Sequence, residues 1–295
     1  MNFRPALTGF LLLLAAFGGG LGARADELVQ VEPHRAAAGW PSNTSDSTPP
    51  LLGFLARPNG PGRFPAVILL HACTGFSEHD TAAAAALKSW GYVALALDSL
   101  GDANMCAEGG GVTAEVSDAY AALRYLTAQS FVAGNRIAVM GYSMGGIAAL
   151  LAVEKDGIGR PHEASFRAAV TYYPLCQFST GILTAPTLIL IGERDDWALP
   201  DACRKLAAHE SDIGVTRVAG TGASVDLIVY PDATHAFDFK LPTRRNLGHF
   251  EQYNEAAARD AEIRVRAFLR QQLGDQPEIP DTPNEPAQSG AEIRH

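Results

Sequence analysis

The chain has 295 residues, enough for one large α/β domain with a well-buried core. Charged residues make up 19% of it and the formal net charge is -9, with no basic run. That balance excludes a polyanion-binding surface and, with it, a nucleic-acid partner.

The first 25 residues read as a targeting segment. Arg4 supplies a positive start, residues 7–21 an apolar core thinned by Gly18-Gly19-Gly20, and Ala23-Arg24-Ala25 an A-x-A cleavage motif. The apolar run is too short and too glycine-rich for a comfortable membrane span, which leaves a retained anchor as the weaker alternative. No cysteine follows the motif, so a lipoprotein anchor is not indicated. The expectation is a signal peptide over residues 1–25 and an exported protein, periplasmic or secreted, with no stable membrane association after cleavage. Export changes how Cys73, Cys106, Cys176 and Cys203 read. They show no C-x-x-C spacing for zinc or redox work, and an even count in an oxidising compartment points to two disulfides.

Residues 26–50 read as an irregular segment with a possible edge strand at 28–33. A strand over 51–57 leads through a Pro-Asn-Gly-Pro-Gly turn to a buried strand over 66–70 that ends at His71. An alanine-rich helix at 78–90 and a strand at 92–97 ending at Asp98 follow. A loop with Cys106 and Gly109-Gly110-Gly111 precedes an amphipathic helix at 112–129. Strands are expected at 166–172, 186–191 and 225–230, and helices at 199–210 and 250–273. From Gly274 the composition, rich in Pro, Asp and Glu, reads as a disordered tail over 274–295. Strands alternating with helices make this an α/β chain: a mostly parallel sheet of about seven or eight strands covered on both faces. The domain spans 51–273, with no repeat, second domain or large cap insertion.

One stretch organises the rest. Residues 136–140 are strand-like and residues 147–153 helix-like, and between them Gly141-Tyr142-Ser143-Met144-Gly145 fits G-x-S-x-G, the nucleophile elbow. So tight a turn leaves no room for side chains at Gly141 and Gly145. It lifts the Ser143 hydroxyl above the sheet and aims the Met144 N–H and a helix N-terminus at developing negative charge. The bland alternative is an ordinary glycine-rich strand-to-helix turn.

In such sheets function gathers at the carboxyl ends of the strands. A free hydroxyl is a poor nucleophile at neutral pH and needs a base. His235, in a loop just past the last predicted strand, is the candidate. His71 is the competitor, although its place before Ala72-Cys73-Thr74-Gly75 fits the oxyanion loop better. The other six histidines fall on predicted polar or helical surfaces. The carboxylate that orients the imidazole is Asp195 or Asp196, with Asp195 favoured by its G-x-x-D spacing and Asp196 read as a helix cap. Asp98, ending an earlier strand, suits a structural or substrate-side role. The second oxyanion donor is expected to be the Cys73 N–H; its thiol as nucleophile is a rival without an elbow. Tyr142, Trp197 and Phe237 are candidate pocket-lining residues.

The order Ser143, Asp195, His235 is the nucleophile–acid–base order of α/β-hydrolases. Over residues 51–273 the chain resembles the dienelactone hydrolase family. Three stretches carry the likeness: Gly141-Tyr142-Ser143-Met144-Gly145-Gly146, Gly192-Glu193-Arg194-Asp195-Asp196 and Tyr230-Pro231-Asp232-Ala233-Thr234-His235-Ala236-Phe237. The resemblance implies the α/β-hydrolase fold and a carboxylic ester hydrolase without metal or organic cofactor. The family's namesake enzymes carry cysteine where this chain has Ser143, and a glutamate beside that thiol where it has Ala72. They place an arginine shortly after the histidine to hold a substrate carboxylate; here Phe237, Asp238, Phe239 and Lys240 follow. A neutral or partly apolar ester is therefore expected. On that fold the strands ending at His71 and Asp98 are neighbours, as are those ending at Tyr172 and Ile191. This pairs Cys73 with Cys106 and Cys176 with Cys203.

The resulting expectation is an exported serine hydrolase acting on a small-molecule ester or lactone through an acyl-enzyme. A peptidase or acyl transferase on the same three residues, and a non-catalytic binding protein on this fold, are the alternatives.

Overall fold

The computed structural model describes residues 26–32, 50–99, 111–155, 157, 165–210 and 221–278. The expected signal peptide, residues 33–49 of the irregular segment, and the loop over 100–110 with Cys106, Gly109 and Gly110 lie outside the described residues, as does the tail beyond residue 278.

Eight strands form the central sheet: β1 (Glu27–Val31), β2 (Leu51–Ala56), β3 (Phe64–Leu70), β4 (Val93–Asp98), β5 (Val132–Tyr142), β6 (Ala168–Tyr172), β7 (Thr187–Gly192) and β8 (Val225–Tyr230). Their order is β1-β2-β4-β3-β5-β6-β7-β8. β1 and β2 pair antiparallel, β2 runs antiparallel to β4, and every later pair is parallel. The fold class is as expected. Parallel strands covered on both faces need continuous apolar runs, and every residue of β3, β6 and β7 is buried. The edge follows the other rule: in β1 only Val31 is fully buried.

Among the described residues five α-helices cover the sheet: α1 (Glu78–Ser89), α2 (Gly111–Thr127), α3 (Met144–Ala152), α4 (Pro200–Ala207) and α5 (Glu255–Leu273). α2 and α3 pack on each other, and all nine residues of α3 are buried, as its lack of charge requires. Asp80 closes a capping box at the start of α1, accepting from the Ser77 N–H and hydroxyl at 2.9 Å each.

The chain past β8 departs from expectation. The last helix starts at Glu255, not at 250, because Asn254 caps it through its side-chain oxygen. Residues before it form a hairpin of β9 (Arg244–Asn246) and β10 (His249–Glu251). Its two-residue turn, Leu247-Gly248, takes positive φ at both positions (49° and 93°), as type I′ turns require. Residues 274–278, the first of the expected tail, are described and have partners. Glu278 bridges Arg63 in a short antiparallel contact, and Arg136 donates to the Leu273 and Gln276 carbonyls at 3.0 Å. Those backbone and guanidinium partners order residues 274–278 despite their composition.

Candidate active site

β5 delivers Ser143 through the expected elbow. Ser143 sits at φ 51°, a strained value for a residue with a side chain, and is held there by its neighbours. Its N–H donates to the Tyr172 carbonyl at 3.0 Å, and the Gly145 N–H donates to the His71 carbonyl at 3.1 Å. A Cβ on Gly141 would lie 2.0 Å from the Gly145 carbonyl oxygen, and one on Gly145 would lie 2.3 Å from that of Leu70. Only glycine fits at either position.

Three loops at the carboxyl ends of β5, β7 and β8 converge. His235 Nε2 lies 2.9 Å from Ser143 Oγ, and His235 Nδ1 lies 2.8 Å from Asp195 Oδ2. All three residues are buried. The other carboxylate oxygen of Asp195 accepts from the Trp197 and Ala198 N–H groups at 2.9 and 2.8 Å. With both oxygens occupied, the carboxylate has one orientation, and it presents an acceptor to the imidazole. Nδ1 then carries the proton and Nε2 faces the hydroxyl as a base.

Of the two aspartates, Asp195 is the one whose carboxylate meets His235. Asp196 is not the helix cap that the sequence suggests: the residue capping α4 is Leu199. It instead accepts from the Phe250 N–H at 3.2 Å and lies 3.4 Å from His249 Nδ1, tying the β9–β10 hairpin to the acid loop. His71 is buried away from Ser143. Its Nε2 accepts from the Ser99 N–H at 3.2 Å, and its Nδ1 faces the Ala72 carbonyl and, at 3.4 Å, Glu115.

Met144 opens α3, so its N–H is one of the first helical donors without an intrahelical acceptor. Cys73 lies on the rim of the same narrow cleft, of about 20 Å³, with Ser143 and His235. Cys73 is disulfide-bonded, and its expected partner Cys106 lies outside the described residues. Cys176 and Cys203 form the expected second disulfide, with Cα atoms 5.0 Å apart.

The expected pocket residues fare unequally. Trp197 lines the cleft, with its ring 5.0 Å from that of His235 and stacked on His249 at 4.6 Å. Phe237 does not line it: it is fully buried, packed on Tyr172, Tyr173 and Tyr230. Tyr142 is absent from the cleft and instead lines a neighbouring cavity.

Several residues of the site escaped sequence reasoning. Phe239 and Tyr173 line the cleft, as do Arg244, Asn246 and Glu251. Glu251 is paired with Arg244 at 2.7 Å and accepts from Asn246 at 3.0 Å. His79, expected on a polar surface, is mostly buried, stacked on Phe239 at 3.8 Å, with Nε2 3.0 Å from Asp238. Burial alone would lower its pKa, but the attraction of Asp238, the hydrogen bond to it and the charge of Asp80 together raise it. Asp238 also accepts from the Tyr173 hydroxyl at 2.7 Å, and burial holds that phenol well above its usual range. The Asn-Leu-Gly turn before His249 was the one available signal for the hairpin.

An eight-stranded, mostly parallel sheet with an elbow serine, a histidine past the last strand and an aspartate past the strand before defines an α/β-hydrolase. The chain belongs to the dienelactone hydrolase family, whose pattern matches residues 51–273, and is a carboxylic ester hydrolase. It is 28% identical over 251 residues to a Bradyrhizobium protein named "probable 2-oxo-3-(5-oxofuran-2-ylidene)propanoate lactonase", an alignment covering 75% of this chain and 90% of that one. Its fold is similar to that of Thermogutta terrifontis esterase 2 phosphorylated by paraoxon, with a TM-score of 0.63, 17% identity and coverage of 86% and 96% of the two chains. A dienelactone hydrolase-like promiscuous phosphotriesterase from metagenomic libraries gives a TM-score of 0.60 at 19% identity, covering 85% of this chain and all of the other.

Proposed function

We propose that this protein is an exported serine hydrolase that opens a carboxylic ester or lactone through an acyl-enzyme. The observation that carries the reading is the unbroken run Ser143 Oγ, His235 Nε2, His235 Nδ1, Asp195 Oδ2, with contacts of 2.9 and 2.8 Å.

In this mechanism His235 takes the Ser143 proton as Oγ attacks the carbonyl carbon. The Met144 and Cys73 N–H groups hold the resulting oxyanion. The imidazolium, steadied by Asp195, then gives its proton to the leaving alkoxide as the acyl–oxygen bond breaks. In the second half His235 takes a proton from water, hydroxide attacks the acyl-enzyme, and Ser143 regains its proton. In a lactone the leaving hydroxyl stays tethered to the acyl group, and the steps are otherwise the same. No metal or organic cofactor has a part in these steps.

The substrate we favour is neutral. Arg244 is the cation lining the cleft, and its charge is already met by Glu251. Export is supported by the A-x-A leader and by a disulfide chemistry that survives in oxidising compartments.

Ser143→Ala removes the nucleophile and should lower turnover of p-nitrophenyl acetate by up to about 10⁶-fold while the fold is retained. Unchanged turnover would reject the mechanism.

A further inference from the structure

His71 has no part in the proton transfers above, yet its imidazole is buried directly behind the oxyanion loop. A polar ring in such a place is held by its partners. Those partners require one form of it. A carbonyl oxygen only accepts, so Nδ1, 2.7 Å from the Ala72 oxygen, carries a proton. A backbone N–H only donates, so Nε2, 3.2 Å from the Ser99 nitrogen, carries none. Glu115 lies 3.4 Å from Nδ1 and, as a carboxylate, would compete for that proton. Burial, then the charges of Asp118 and Asp80, keep Glu115 in its neutral acid form, so the nearer Ala72 carbonyl is the acceptor that counts.

The Ala72 oxygen is one end of the peptide unit whose other end is the Cys73 N–H. A trans peptide is planar, and its C=O and N–H point opposite ways. That oxygen accepts twice, from His71 Nδ1 and from the Gly75 N–H at 3.0 Å, which closes a turn over residues 72–75. Two donors from different directions leave the peptide plane one orientation, and the Cys73 N–H one direction. Donation to the carbonyl also polarises the peptide and strengthens the N–H at its far end. The backbone of His71 makes the second tie: its carbonyl accepts from the N–H of Gly145, the residue after Met144. The two oxyanion donors of the mechanism are therefore linked through His71, one by its ring and the other by its main chain.

Resting on the serine-hydrolase reading above, we propose that His71 is a positioning residue for the oxyanion hole: its Nδ1–H fixes the Ala72–Cys73 peptide so that the Cys73 N–H meets the developing oxyanion beside that of Met144. His71 touches no substrate atom. Its influence is felt only as charge builds on the carbonyl oxygen, so it acts on kcat and little on KM.

Two amides dissect the ring. In His71→Asn the side-chain N–H group falls near the place of Nδ1 and serves the Ala72 oxygen. In His71→Gln the longer side chain puts its amide oxygen near the place of Nε2, which serves Ser99 and leaves the Ala72 oxygen with the Gly75 donor alone. On p-nitrophenyl acetate His71→Gln should lower kcat about 30-fold, less than the roughly 10²–10³ of losing a donor outright, with KM little changed. His71→Asn should recover about tenfold of that loss. A second substrate separates positioning from general damage. In the matching thionoester, with C=S for C=O, sulfur accepts hydrogen bonds weakly, so His71→Gln should cost only about threefold. Equal losses on ester and thionoester, a full-rate His71→Gln, or His71→Gln more active than His71→Asn would overturn the proposal. A check on the wild-type chain does not depend on how the variants fold. NMR of the histidine nitrogens should show His71 with its proton on Nδ1 at neutral pH, and a proton on Nε2 alone would overturn the proposal as well. A wild type with no Ser143-dependent turnover ends the hydrolase reading and this one with it, whereas the outcomes above end only this one.

Discussion

At the scale of single residues the site rests on groups with no freedom left. Ser143 is pinned at positive φ, His235 is bonded at both nitrogens, and Asp195 is bonded at both oxygens. Asp195→Asn keeps the shape but lets an amide N–H face Nδ1, favouring the wrong tautomer. It should lower kcat on the order of 10⁴-fold, with KM little changed. Asp196→Asn, beside it, should leave kcat within about tenfold, since that carboxylate meets only the hairpin. Steady-state kinetics on p-nitrophenyl acetate separate the two, and a reversed order would mean that the acid has been misassigned. Ser143, His235 and Asp195 were legible because each follows a strand end with its own local signal. Asp196, His79 and Arg244 were not, because their partners arrive from residues 238–251, where the Asn-Leu-Gly turn alone hints at a hairpin.

At the scale of elements, α2 carries the fold's clearest electrostatic tension. Glu115 is wholly buried; among the described residues neither carboxylate oxygen has a hydrogen bond, and His71 Nδ1 lies 3.4 Å from one of them. Burial first, then the charges of Asp118 and Asp80, push its pKa well up. Burial likewise raises Asp118 to about 7, against an opposing hydrogen bond from Ser99. An acid whose folded pKa exceeds its unfolded value of 3.8 binds a proton more tightly in the native state. Native stability therefore falls as pH rises from the unfolded pKa through the folded one, and the loss is complete above it. Asp118→Asn removes that loss. Its Tm should exceed that of the wild type at pH values above about 7 and converge with it below about 4. Thermal melts across that range check the sign, and a gap that widens toward acid would refute it. The element types themselves were legible from the apolar runs of β3 to β7. The start of α5 was not, since the Asn254 cap competes with a helical pattern that continues back through Phe250.

At the scale of the whole molecule, order extends beyond what composition allows. Arg63 and Arg136 hold residues 274–278 against the start of β3, although those residues read as solvent-loving tail. The Cys176–Cys203 disulfide joins the loop after β6 to α4 and closes a loop of 27 residues. In the chain-entropy account it contributes about 3–4 kcal/mol. Replacing both cysteines by alanine should lower Tm by about 7–14 °C, and an unchanged Tm would show that this link carries no stability. The pairing was readable only after the fold was, because sequence separation says nothing about which loops share a sheet edge. All of these supports serve one arrangement, a buried hydroxyl facing one imidazole, and a fluorophosphonate tests its proposed nucleophilic role most directly. Intact-mass analysis followed by peptide mapping should find one phosphonyl group per chain, on Ser143, and none on Ser143→Ala. A protein that stays unlabelled, or one labelled elsewhere with the Ser143 peptide unmodified, would contradict the account.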